Sequence, residues 1–163
     1  GIGTASVRVG AVTMGAIVAC NALGDVVNPD TGQLIAGARS ADGSQLLDAR
    51  RALLCGESPH TLLSGSNTTI GVVATDATLT KVQARRLAMS AHDGLARTIN
   101  PVHTMSDGDT LFALGTGHHP NPGMLLLATM AAEATARATV RAVLAAHPLD
   151  GHGLRLPCAR DFF

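Results

Sequence analysis

From Gly123 to Ala146 the chain carries three charged residues, Glu133, Arg137 and Arg141, spaced four apart. That spacing puts one polar stripe along a helix and leaves the rest of its circumference apolar and small. Such a helix cannot stand on a surface. It has to be packed around most of its girth, which commits the chain to a layered fold with a real core. Asn121 and Pro122 are suited to the N-cap and first helical position.

What precedes that helix supplies the other layer. Thr4–Arg8 and Val12–Asn21 read as strands around a turn at Gly10, and the second is apolar enough to be covered on both faces. The stretch GDVVNPDTG reads as turn, and QLIAGA as a short strand. Arg39–Ser66 reads as a long surface loop, with a helical turn at LLDARRALL. Thr68–Thr75 is a β-branched strand. Leu79–Ile99 is an amphipathic helix with Thr80 and Gln83 as a capping box, Ala84, Leu87, Ala88, Ala91 and Leu95 on one face, and Gly94 marking close packing. Asp109–Gly117 is a further strand, and His147–Phe163 reads as an irregular tail. Strands alternate with helices, so the class is α/β. The opening GIGTASVRVG already has the character of a strand, so a preceding region is expected.

Composition narrows the function by exclusion. Net charge is zero and aromatic residues are 2%. Neither a basic surface nor stacking platforms for nucleic acid are to be expected, and no run reaches the length of a membrane helix. Cys20, Cys55 and Cys158 are far apart and form no CxxC pair, which fits reduced thiols in the cytoplasm. His118 and His119 are adjacent, His92 sits on a helix and His103 in a loop. With no HExxH or HxH spacing, they read as structural or solvated and no metal is expected. No phosphate-binding glycine motif and no GxSxG elbow occurs, so no cofactor is expected either.

The segment SGSNTTIGVVAT remains. A threonine pair opening a strand is ordinary β-propensity. It also suits one mechanism. A chain cut before Thr68 would present a hydroxyl beside a new α-amine, a group that titrates at about 7.7–8.0 in short peptides, and so a nucleophile with its own base.

The segments GIGTASVRVGAVTMGAIVACNALGDVVNPDTG and NTTIGVVATDATLTKVQARRLAMSAHDGLARTINPVHTMSDGDTLFALGTG together resemble the L-aminopeptidase/D-esterase family, which includes the β-aminopeptidases. The resemblance spans essentially the whole chain. It implies an αββα four-layer sandwich of the N-terminal-nucleophile type, also found in ornithine acetyltransferases, here incomplete at the N-terminus. It implies one peptidase domain over 1–163, cut between Asn67 and Thr68 into 1–67 and 68–163.

By position, Thr68 matches the nucleophile and Asn67 the residue whose carbonyl is released at self-cleavage. Asn21 matches an asparagine that holds the oxyanion, and Asp109 an acid that orients the amine of Thr68. Where some members carry a serine two positions before that acid, this chain has Asp107, preceded by Ser106. The resemblance thus implies an aminopeptidase or amidohydrolase acting on small peptides, amino-acid amides or esters, and assembling as a homo-oligomer. Acyl transfer of the ornithine acetyltransferase kind and a non-catalytic α/β homologue are the alternatives.

Overall fold

The structure, a computed structural model, describes residues 1–57, 67–151 and 154–162. Its frame is a four-stranded sheet in the order β1-β2-β5-β7. Strands β1 (Ile2–Val9) and β2 (Val12–Ala19) form an antiparallel hairpin turned at Gly10, whose φ of 59° a side chain would disfavour. Two three-residue strands follow, β3 (Asp25–Val27) and β4 (Leu34–Ala36). Helix α1 (Ala49–Leu54) falls in the expected LLDARRALL turn, N-capped by Asp48. Buried Asp25 ties this stretch down, accepting the N–H groups of Ala38 at 2.9 Å and Ala49 at 2.6 Å. The rest of the expected loop, 58–66, lies outside the described residues.

Strand β5 (Ile70–Ala77), helix α2 (Lys81–Thr98), the two-residue β6 (Ile99–Asn100) and β7 (Thr110–His119) form the centre. β5 pairs antiparallel with β2 and parallel with β7, so α2 is the crossover between parallel neighbours. Thr80 and Gln83 make the capping box in both directions. Helix α3 (Met124–Leu144) completes the core, lying over β1 and β2 and against α2. At its N-cap stands Gly123, with φ 111° and no side-chain cap. Asn121, the expected cap, instead accepts the N–H of Gly123 and donates to Thr78 O, and the helix starts two residues later than expected.

Alternate residues of the strands enter one core: Ala5, Met14, Val18, Val73 and Leu111 pack against Leu87, Leu95, Leu127 and Met130. The other face of the sheet is open in the described residues. Ile17, Val72 and Phe112 form a cross-strand row there, with Phe112 61% exposed. The expectation that β2 is covered on both faces is therefore met on one face only. Of the four expected layers, the described residues form one of helices and one of strands, beside a small β4-β3-β6 sheet. The tail is not wholly irregular: β8 (Leu149–Gly151) and β9 (Leu154–Leu156) make a hairpin, and a 3₁₀ turn covers Ala159–Phe162.

Candidate active site

Sheet register brings the predicted site residues to one end of the sheet. In the antiparallel β2–β5 pair Ala19 faces Ile70. Continuing that register sets Asn21 opposite Thr68, and Thr68 N–H donates to Asn21 O at 2.9 Å. In the parallel β5–β7 pair Ile70 faces Thr110, and an outlying bridge sets Asn67 beside Asp107. The residues between therefore align as Thr68 with Gly108 and Thr69 with Asp109. Three stretches far apart in sequence meet because two ladders share β5.

Alternation along the strand decides which side each group serves. Thr68 shares the parity of exposed Ile70, so its hydroxyl stands on the open face. A Cβ on Gly108 would lie 2.9 Å from Thr68 Oγ1, which agrees with that side and puts the hydroxyl in the space a side chain there would take. Thr69 is fully buried, and its neighbour in register, Asp109, has a side chain 4% exposed; both face the helical layer.

The scissile bond of the expected self-cleavage is distinctive. Its carbonyl, Asn67 O, accepts the Thr68 hydroxyl at 2.6 Å and the Gly108 N–H at 3.1 Å. Asp107 knots the loop that presents Gly108, accepting from Thr104 Oγ1 at 2.7 Å, Thr104 N at 3.3 Å and Leu23 N at 3.2 Å. Asp109 Oδ1 accepts from Thr69 N at 2.9 Å, the N–H one residue beyond Thr68. Its Oδ2 meets His103 Nδ1 at 3.0 Å. His103 in turn packs edge-on against His92, centroids 4.8 Å apart. Burial foremost, then the neighbouring His103, push His92 below the ordinary histidine value, while burial pushes the Cys20 thiol up. All three cysteines are free. Among the described residues no cluster of three or more His, Cys, Asp or Glu could hold a metal, and no helix is long and apolar enough to cross a membrane.

Gly108, Thr104 and His103 were not among the expected site residues. Gly108 acts through its main chain, which has no residue-type signature. Thr104 and His103 sit in a loop whose closure on Asp107 and Asp109 no periodicity announces.

The fold is that of the N-terminal-nucleophile hydrolases. The chain is similar to the structure of the L-aminopeptidase D-Ala-esterase/amidase of Ochrobactrum anthropi, described as a variant of that fold (TM-score 0.64, 24% identity, 97% of this chain, 44% of that one). It is similar also to a Burkholderia β-aminopeptidase (TM-score 0.61, 27% identity, 97% of this chain, 45% of that one). Residues 1–156 match peptidase family S58, and the chain belongs to that family. An uncharacterised aminopeptidase of Mycobacterium leprae is 44% identical over 171 residues, covering 93% of this chain and 46% of the relative. The chain thus spans about half the length of the curated relatives it matches.

Proposed function

We propose that the protein is an aminopeptidase or amidohydrolase that cuts itself at Asn67–Thr68 and then uses Thr68 as nucleophile and base. The observation that carries this reading is the double hydrogen bond on Asn67 O. A carbonyl held by a main-chain N–H and touched by the hydroxyl of the next residue is polarised and close to its attacker.

In self-cleavage, Thr68 Oγ bonds to the Asn67 carbonyl carbon while the charge on Asn67 O is held by Gly108 N–H. The hydroxyl proton passes to Thr68 N as the C–N bond breaks, leaving an Asn67 ester on Oγ and a free α-amine. Water hydrolyses the ester to the Asn67 carboxylate and frees the hydroxyl. In turnover, the amine takes the Oγ proton as Oγ attacks a substrate carbonyl, and passes it to the leaving amine or alcohol. The amine then deprotonates the water that releases the acid. Asn21, beside Thr68 on the open face, is the candidate side-chain donor to the substrate oxyanion.

Intact mass and N-terminal sequencing of the purified protein test this. The expected result is a break giving a fragment that starts Thr68-Thr69-Ile70, and a Thr68→Ala variant that stays whole and inactive. A protein that hydrolyses amides with the bond uncut overturns the mechanism. One that neither cuts itself nor hydrolyses supports a non-catalytic homologue.

A further inference from the structure

His103 has no direct hydrogen bond to Thr68; among the described residues its partners are Asp109, whose side chain faces the helical layer, and His92 on α2. It meets the site at Asp109 Oδ2, 3.0 Å from its Nδ1. A carboxylate oxygen accepts hydrogen bonds, so the contact is a hydrogen bond when the ring carries a proton on Nδ1. The other oxygen of the same carboxylate accepts Thr69 N–H. With its side chain 4% exposed, Asp109 has little water to satisfy it and depends on those two donors.

The backbone and a neighbour both hold the ring in place. His103 adopts φ 53°, a left-handed conformation that residues other than glycine seldom take. Its ring packs edge-on to His92 at an interplanar angle of 62°, and His92 rides on α2, whose inner face is anchored by Leu87, Ala91 and Leu95. Backbone strain kept at one loop position beside a reacting residue is most readily understood as serving that residue.

We propose that His103 is a positioning residue for Thr68, acting through Asp109. Its Nδ1–H locks the carboxylate in the rotamer that receives Thr69 N–H, and this fixes the Thr68–Thr69 peptide group. The next peptide group is held as well, its carbonyl, Thr69 O, accepting Thr110 N–H at 2.9 Å. The Thr68–Thr69 peptide group and the bond from Thr68 N–H to Asn21 O are the restraints on Thr68 that do not depend on Asn67. The proposal rests on the reading of Thr68 as the nucleophile.

The test follows precursor conversion in the full-length protein by pulse-chase synthesis and denaturing gel, for the unchanged protein, His103→Gly and His103→Asn. Glycine suits the left-handed backbone and removes the donor. Asparagine tolerates that backbone and offers an amide N–H near the place of Nδ1. The expected result is cleavage at least about 10-fold slower with glycine, and within about 3-fold of the unchanged rate with asparagine, at comparable melting temperatures. Equal rates for glycine and the unchanged protein overturn the proposal alone, as do two variants that are equally slow. If glycine fails to fold, asparagine decides: a folded variant slowed more than about 10-fold overturns the proposal, and an unchanged rate upholds it. An unchanged protein that never cleaves overturns the Thr68 reading, and this proposal with it.

Discussion

Gly108 carries two demands at once. Its N–H donates to Asn67 O at 3.1 Å, and the space where a side chain would stand is filled by Thr68 Oγ1, 2.9 Å away. A methyl group there displaces a hydroxyl rather than a backbone, so the fold can absorb it and the proposed nucleophile, Thr68, cannot. Gly108→Ala should change stability by less than about 1 kcal/mol, yet slow self-cleavage at least about 10-fold, as misplaced nucleophiles do. Gel quantitation of precursor beside a denaturant melt reads both. Asp107 acts differently. Removing it in Asp107→Ala strands Leu23 N–H and two groups of Thr104, and should cost about 1–3 kcal/mol in chemical denaturation. At this scale the residues themselves suggested only that Thr68 suits an N-terminal nucleophile. Asn21, Asp107 and Asp109 came from family likeness, because their meeting depends on strand register. His103 reads in the sequence as a loop histidine, since irregular chain separates it from the carboxylate it meets.

Packing of α2 on α3 turns on Gly94. A Cβ there would come within 2.4 Å of Ala132 O and 2.7 Å of Thr135 Cβ, so the helix backbones touch with no room to spare. Propensity alone predicts that alanine stabilises a helix interior by about 1 kcal/mol. Here the sign should reverse: Gly94→Ala should destabilise by about 1–3 kcal/mol in a denaturant titration, since Ala132 O is main chain and cannot step aside. The same pair of helices is clasped outside by Glu133, which takes Arg97 at 2.8 Å and Arg137 at 2.7 Å. The Arg97 contact first, then that of Arg137, holds the Glu133 carboxyl below its usual value of 4.5. A lowered folded pKa adds stability that is full above the unfolded value and lost as pH falls through the folded one. The groups are well exposed, so Glu133→Gln should cost less than about 1 kcal/mol at neutral pH. That deficit should vanish in acid melts, where the unchanged protein is protonated too. Long elements were legible because capping boxes and stripes repeat over many residues. The three-residue strands β3 and β9 and the two-residue β6 were not, because segments so short carry no period and form only through their partners.

For the whole molecule, what matters most is the bare side of the sheet. Ile17, Val72 and Phe112 line up across three strands, with Ile70 and Leu114 adjoining, on the same face as the Thr68 hydroxyl. Apolar faces of this extent seldom meet water in a stable protein. The almost wholly apolar run of β2 pointed to cover on both sides, and only the helical side is met within the described residues. Phe112 and Met105 offer a fair comparison, since both are exposed here, at 61% and 103%. Phe112 stands in the middle of the bare face, whereas Met105 lies in the loop before β7. If the face is covered in the full-length protein, Phe112→Lys there should cost about 3 kcal/mol or more, while Met105→Lys should stay within about 0.5 kcal/mol. Thermal and urea melts of the two variants decide it. Equal, small effects would mean that the proposed nucleophile stands on an open sheet. A large effect at Phe112 alone would place Thr68 in the seam between two layers, where water is scarce and a main-chain N–H on an oxyanion counts for most.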